Sequence, residues 1–253
     1  MFSAATSRRS RLAYSTLALL LAGAAGAINA TSFFAFGQHI THMTGHVTAV
    51  GEAVASGQWG DALTAGQMVF AFVVGAVTAT ALLDASRHRT RGRHAAALLV
   101  EVVTLGGVGL WVHEHPDANE STLMWGLAFA MGLQNALVTR VSGAVVRTTH
   151  LTGVLTDIGI QLVRMVVWVR DGARERGLRG IWHKVLDLPS AEQFERTRLH
   201  LGLALAFLTG SILGTGLYLR YGASAMALPC VVLVVVMALD ISPAGSRAPA
   251  ASL

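Results

Sequence analysis

Six long apolar stretches constrain this chain more than any other feature of its sequence. They lie at residues 12–36, 65–83, 95–112, 122–139, 199–219 and 223–240, and each approaches the roughly 20 apolar residues that a helix needs to cross a bilayer. Only 13% of the 253 residues are charged and 53% are hydrophobic, which is too little charge to cover a soluble globule of this size. The sequence therefore predicts an all-α membrane protein with six transmembrane helices in a lipid bilayer.

Two further stretches have a helical pattern but are more polar, and they carry nearly the same five letters. Residues 39–56 contain THMTG at positions 41–45, and residues 149–169 contain THLTG at positions 149–153. Each stretch is either a full span, which gives eight helices, or a half-span that enters the membrane and returns, which gives six.

The distribution of arginine favours the half-spans. Loops rich in Lys and Arg stay in the cytoplasm, and the basic clusters lie at residues 8–11, 87–93 and 169–184, whereas residues 37–64 and 113–121 contain neither Lys nor Arg. A topology of six spans and two half-spans places every basic cluster in the cytoplasm. Only Arg220 then lies on the opposite side. We therefore expect a bacterial inner-membrane protein with both termini cytoplasmic. The same clusters explain the net charge of +5 without nucleic acid as a partner.

The chain also repeats itself outside the THxTG motif. Gly26 and Asn29 match Gly132 and Asn135, and AFVVGAVTAT at residues 71–80 matches AFLTGSILGT at residues 206–215. Each copy holds three spans, an odd number, so the second copy must enter the membrane from the opposite side as an inverted repeat. The sequence divides into a cytoplasmic N-terminus (1–11), repeat 1 (12–114), repeat 2 (122–241) and a cytoplasmic tail (242–253).

The N-terminus has a second interpretation. SRRSRLAYSTLALLLAGAAGAINA has the paired arginines, apolar core and small residues of a twin-arginine export signal. Cleavage there would remove part of the first copy of the repeat, so a retained helix is the preferred interpretation.

These repeated segments resemble a known family. MGLQNALVTRVSGAVVRTTHLTGVLTDIG, together with HMTG in the first half, is similar to the YoaK-like bacterial integral membrane proteins, a domain of unknown function, and the similarity runs from about Leu17 to Asp240. The resemblance implies a multi-helix membrane protein with no established substrate. This chain departs from the family at Asn29, where an acid is common, and at His46, where Asn is common.

Inverted repeats with interrupted helices are a common transporter arrangement, so we expect movement of a small solute or ion along a path between the repeats. The expected path residues are Asn29, Thr44, Gly45, Thr48, Glu101, Asn135, Thr152, Gly153 and Thr156. A membrane scaffold without transport is the alternative, and the sequence leaves the choice between a monomer and a homo-oligomer open.

Each path residue also has a structural interpretation. The threonine hydroxyls bond their own or neighbouring helices, and the THxTG glycines allow close helix contact. Asn29 and Asn135 cap the broken segments, and Glu101 is a neutral acid bonded to a neighbouring helix. Close helix crossings are expected at Gly23, Gly26, Gly75, Gly210 and Gly214.

Two further side-chain patterns call for an interpretation. His39, His42 and His46 have the spacing of one helical face and would be the ligands of a metal or haem enzyme, but the second copy keeps only His150, so no metal and no cofactor is expected. Asp157, Gln161 and Arg164 form a helical line, interpreted as a cytoplasm-facing edge or an internal ion-pair network. The single cysteine, Cys230, lies in an apolar run and excludes an intramolecular disulfide.

Overall fold

A computed structural model describes residues 8–89, 91–115, 121–141, 151–188 and 191–241. These residues form helices joined by short turns, with no strand among them. The helices are α1 (Arg8–Phe36), α2 (Met43–Ala55), α3 (Trp59–Ala85), α4 (Ala95–Glu114), α5 (Ser121–Val141), α6 (Leu151–Asp187), α7 (Glu195–Tyr221) and α8 (Ala227–Ile241), with 3-10 segments at Glu192–Phe194 and Gly222–Met226.

Five stretches of the described residues are long and apolar enough to cross a membrane. They are Ser15–Phe36, Trp59–Ala85, Ala95–Glu114, Leu151–Gly172 and Glu195–Ile241. The last contains two predicted spans, because α7 and α8 are joined by the 3-10 segment with Gly222 at φ +60°. The apolar runs predicted from sequence at residues 12–36, 65–83 and 95–112 therefore correspond to α1, α3 and α4.

Helices α5 and α6 differ from the prediction made from the sequence. The stretch at residues 122–139 forms α5 as predicted, but α5 is absent from the five candidate spans because Gln134 and Asn135 interrupt its apolar sequence. The THMTG helix α2 has 13 residues, too few to cross a bilayer. The THLTG helix α6 is longer than the predicted half-span, and its part Leu151–Gly172 is long enough to cross. The two motif-bearing helices are therefore unequal.

The chain forms two compact units, of which the larger contains residues 1–149 and 207–253. In this unit α5 packs against α1, α3 and α4, and α8 packs against α1 and α4. The largest fully buried side chains of α1 and α5 are apolar: Leu21, Ile28, Leu127, Met131, Leu133 and Leu137. The core of this unit is therefore formed around these two helices.

Glycine sets the spacing between α1 and α7. A Cβ atom on Gly26 would lie 2.0 Å from the carbonyl oxygen of Phe207, and one on Gly210 would lie 1.9 Å from the carbonyl oxygen of Gly23. A Cβ on Gly214 would lie 2.8 Å from the Cα of Ala27. No side chain fits at these distances, so the backbones touch only because the residues are glycine.

Helices α3 and α5 meet in the same way. A Cβ atom on Gly75 would lie 2.0 Å from the carbonyl oxygen of Phe129, and one on Gly132 would lie 1.9 Å from that of Phe72. The predicted close crossings at Gly26, Gly75, Gly210 and Gly214 are confirmed, with Gly23 supplying a carbonyl. Gly132 belongs to the same set and was not predicted.

Polar contacts join helix ends at one side of the larger unit. The carboxylate of Asp84, at the end of α3, pairs with Arg140, at the end of α5. The start of α4 meets the end of α8, where His94 Nδ1 lies 2.8 Å from Asp240 Oδ1 and the His94 backbone N–H donates to Asp240 Oδ2 at 2.9 Å. Ser86 also donates to the carbonyl oxygen of Arg93 at 2.7 Å. The ends of four helices are thus tied together beside the arginine-rich loop.

The smaller unit contains residues 150–206, and within it α6 doubles back on itself. Gly177 has φ +59°, a left-handed conformation that glycine adopts without steric cost. Lys184 Nζ lies 4.6 Å from the ring centroid of Trp168, although 16 residues of straight helix would separate them by about 24 Å. The segment assigned to α6 is therefore a helical hairpin that turns near Gly177.

Candidate functional site

Asn29 fixes the loop that leads from α1 to the THMTG helix. Its Oδ1 accepts hydrogen bonds from the backbone N–H of Thr41 at 3.2 Å and from the Thr41 hydroxyl at 2.8 Å. Its Nδ2 lies 3.3 Å from Nδ1 of His39, whose ring stacks on Phe33 with the centroids 4.5 Å apart. Of the roles considered for Asn29, the one observed is to hold the break between two helices.

Asn135 occupies the matching position on α5. It is buried, and its Nδ2 donates to the carbonyl oxygen of Met131 at 3.0 Å. Thr149 and His150, the counterparts of Thr41 and His42, lie outside the described residues.

The THxTG threonines make equivalent bonds in both copies. The hydroxyl of Thr48 donates to the carbonyl oxygen of Thr44 at 3.0 Å, and that of Thr156 donates to that of Thr152 at 2.9 Å. All four side chains are exposed. The hydroxyls of Thr48 and Thr156 therefore have their hydrogen-bond acceptors within their own helices.

The THxTG glycines do not both fit the close-contact interpretation. A Cβ atom on Gly45 would meet only the side chain of His42, at 3.6 Å, so close helix contact does not explain this glycine. Gly153 is half-buried.

Glu101 is the most isolated acid in the described part of the chain. Its side chain on α4 is completely buried, and neither carboxyl oxygen has a hydrogen-bond partner among the described residues. The expected bond to a neighbouring helix is not found. Cys230 on α8 is close enough to interact with it electrostatically. An unpartnered acid in an apolar core is costly to bury, and in a membrane helix it is a functional candidate by default.

Gln134 is a buried polar residue that the sequence interpretation missed. Its Nε2 donates to the carbonyl oxygen of Leu21 at 2.7 Å, which joins α5 to α1, and its Oε1 is buried without a partner among the described residues. The matching position in the first copy is Ile28, so the repeat gave no signal for this residue.

The three histidines do not lie on one helical face, so that prediction was wrong. Helix α2 begins at Met43, which leaves His39 and His42 in the preceding turn. His39 and His42 are exposed, whereas His46 is buried, and burial lowers the pKa of His46 below its ordinary value. No three His, Cys, Asp or Glu side chains in the described ranges are placed to hold a metal ion.

Asp157 finds its partners on α7 rather than along its own helix. Its Oδ2 lies 3.7 Å from a guanidinium nitrogen of Arg196 and 3.6 Å from Nδ1 of His200. His200 is buried, while Arg164 is exposed. Asp157 therefore contacts Arg196 and His200 on α7, which were not members of the network suggested from the sequence.

Two cavities of the larger unit are lined by residues other than those of the expected path. One is a surface groove between α7 and α8, lined by Leu217, Tyr221, Ser224, Ala225, Ala227, Leu228 and Val231. The other is a small cleft beside Thr31, Val108 and Tyr218. Neither is lined by Asn29, Thr44, Glu101 or Asn135, so the cleft and the groove are not the expected path.

Long apolar helices, joined through glycine contacts and carrying a few buried polar side chains, define a multi-pass helical membrane protein. The model of a family described as "Protein of unknown function (DUF1275)" matches residues 17–239, and the chain belongs to this family. No curated protein and no solved structure matches the chain.

Proposed function

We propose that this protein is a transporter that moves a small solute or ion across the bacterial inner membrane. It has six spans in two inverted repeats, both termini in the cytoplasm, and a path at the interface of the repeats. The proposal takes up the resemblance to the YoaK-like proteins, and two sets of contacts and one buried acid support it.

The observation that carries the proposal is that two of the glycine contacts occur twice. In the alignment of the copies, Gly26 corresponds to Gly132 and Phe207 to Phe72, so the α1–α7 contact of Gly26 with Phe207 is repeated by the α5–α3 contact of Gly132 with Phe72. The contact of Gly210 with Gly23 is likewise repeated by that of Gly75 with Phe129.

This duplication has a geometric meaning. Helices α1 and α3 belong to the first copy and α5 and α7 to the second, so each contact pairs one helix from each copy. A two-fold relation between the copies generates this cross-pairing, and such a relation is the basis of alternating access in inverted-repeat transporters.

The tied helix ends support the proposed orientation. The Asp84–Arg140 and His94–Asp240 contacts join the ends of α3, α5 and α8 to the start of α4. In a six-span topology with a cytoplasmic N-terminus, these four ends face the cytoplasm. The adjacent loop carries Arg87 and Arg89, as the positive-inside rule requires.

Glu101 supplies a coupling group. In a core without hydrogen-bond partners the neutral acid is the form expected in this conformation. Movement of one repeat against the other that opens the core to water would let Glu101 exchange its proton. The exposed THxTG faces of α2 and α6 would then line the path. The bonds of Asn29 to Thr41 would hold the loop between α1 and α2 during the movement.

Proton-coupled uptake into proteoliposomes tests this function. Wild type, Glu101→Gln, Thr44→Val/Thr152→Val and Glu114→Gln are compared over a broad panel of solutes with and without a proton gradient. Glu114 is an exposed acid on the same helix and is the matched control. We expect gradient-driven uptake by wild type and Glu114→Gln and its loss in Glu101→Gln.

The membrane scaffold is favoured by the groove and the cleft, which lie away from the path residues. If folded wild type moves none of the panel in either condition, transport is wrong and the scaffold stands.

A further inference from the structure

The second copy contains a segment that the first copy lacks. Matched residues are 108 positions apart at the motif (Thr41 and Thr149) and 135 positions apart at the following span (Ala71 and Ala206), so 27 residues are added between them. The structure has its helical hairpin in this interval. The last stretch of the hairpin, residues 178–187, is called the return leg below.

The return leg has two different faces. Gly180 and Lys184 turn inward, where Gly180 approaches Gly172 and Lys184 lies over Trp168. The opposite face carries Leu178, Trp182 and Leu186, spaced by four residues and exposed by 78%, 68% and 73%. These three residues are called the outer stripe. No described residue of the smaller unit covers this stripe, and a stripe of this size requires an apolar environment.

Positive charge surrounds the outer stripe. Residues 164–188 contain six Lys or Arg and three Asp or Glu. Of the acids, Asp187 lies 2.8 Å from His183 and Asp171 lies 3.9 Å from Arg174. Arg170 and Arg179 are exposed, and no ion pair of theirs is present in the described unit. The hairpin thus presents an apolar stripe with exposed arginines beside it.

We propose that the return leg lies in the interface of the membrane, with the outer stripe at the boundary between headgroups and acyl chains and the arginines on anionic lipid headgroups. Trp and Leu on one face with arginine beside them are typical of helices that lie in this interface. Anionic lipid supplies the complementary charge. The leg also follows the candidate span Leu151–Gly172 after a short turn and packs back against Trp168 and Gly172, which keeps it near a bilayer. This inference does not depend on transport.

The depth of single nitroxide labels tests the lipid contact in the full-length protein. In a Cys230→Ser background, cysteines replace Leu178 or Leu186 on the outer stripe, with Ile181→Cys at a half-buried position and the loop residue Arg89→Cys as controls. The proteins are reconstituted into phosphatidylcholine vesicles with or without phosphatidylglycerol. Spin-label accessibility to oxygen and to a water-soluble nickel chelate is then measured.

We expect the oxygen-to-nickel ratio at Leu178 and Leu186 to be at least about threefold higher than at Arg89, because oxygen concentrates in the acyl region and the chelate stays in water. The ratio should be larger with phosphatidylglycerol. It should fall in an Arg170→Gln/Arg174→Gln/Arg179→Gln variant, or in high salt if that variant does not fold.

Two outcomes would overturn the proposal. The first is nickel access at the outer stripe as high as at Arg89 in both lipids. The second is immobilised labels that neither reagent reaches, which would place a protein surface on the stripe instead of lipid. Equal ratios in both lipids, with no effect of charge, would remove the anionic headgroups from the proposal.

Discussion

Asn29 on α1 accepts two hydrogen bonds from a single residue, the backbone N–H and the hydroxyl of Thr41. These bonds fix where the chain leaves α1 and enters α2. The amide is therefore a structural element of the THMTG segment, whether or not a solute passes beside it.

Two substitutions of Asn29 test whether its side-chain oxygen is needed as the hydrogen-bond acceptor for Thr41. Asn29→Ala removes both bonds to Thr41 and should lower the free energy of unfolding by about 1–3 kcal/mol. Asn29→Asp keeps an acceptor for both bonds and should be tolerated better. Thermal stability in detergent, followed by size-exclusion chromatography, measures the order. A variant Asn29→Asp that is less stable than Asn29→Ala would contradict the assigned role.

The glycine contacts predict that alanine at Gly26 or at Gly132 strongly destabilises the protein. Gly26→Ala and Gly132→Ala would each place a methyl group about 2 Å from a carbonyl oxygen, and backbones cannot move apart without loss of core packing. Both should lower the yield of folded protein strongly and to a similar degree. Gly106→Ala is the control, because nothing lies within 4 Å of its Cβ position. It should be neutral or stabilising by up to about 1 kcal/mol.

Replacement of Glu101 should abolish transport without lowering the stability of the protein. Glu101→Gln preserves shape and removes an ionisable group that has no hydrogen-bond partner among the described residues. We expect its thermal stability to equal or exceed that of wild type, even though gradient-driven uptake is lost. A large loss of stability would instead assign Glu101 a packing role.

His46 should make the protein less stable in acid. Its pKa is lowered in the folded state by burial, an effect that the backbone of His39 partly opposes and to which the charge of His42 adds a smaller contribution. The unfolded chain therefore binds more protons, and stability falls as the pH is lowered through the pKa of the unfolded histidine. The decrease in melting temperature between about pH 8 and pH 5 should be smaller in His46→Gln than in wild type. His42→Gln, which removes only the smaller contribution of charge, should reduce the decrease less than His46→Gln does.

Labelling of single cysteines tests the orientation of the membrane helices. Gln38 and Arg89 are both exposed, and six spans place them on opposite sides. In a Cys230→Ser background, Gln38→Cys should react with an impermeant maleimide on intact spheroplasts, and Arg89→Cys only after permeabilisation. The reverse pattern would invert the topology.

The sequence was informative where a local pattern decides the structure. Apolar runs located α1, α3, α4 and the α7–α8 region, since length and hydropathy determine which helices are able to cross a bilayer. Small residues within the apolar runs located the contacts of Gly26, Gly75, Gly210 and Gly214, whereas Gly132 was missed although it matches Gly26 in the repeat.

Such local patterns could not predict contacts between residues that are far apart in the sequence. The start of α2 is set by the bonds of Asn29 to Thr41, 12 residues away, so the helical spacing of His39 and His42 was misleading. The partners of Asp157 come from α7, and the bond of Gln134 crosses from α5 to Leu21. Neither contact leaves a periodic signal along the chain.

The cross-pairing of helices also has a consequence for biosynthesis. The glycine face of α1 packs against Phe207 and Gly210, which the ribosome adds about 180 residues after Gly26. The first helix must therefore wait in the bilayer, or with an insertion factor, while most of the protein is still being made. Newly inserted α1 exposes an unpaired small-residue surface throughout that interval, and the order of synthesis makes α7 the helix that covers it.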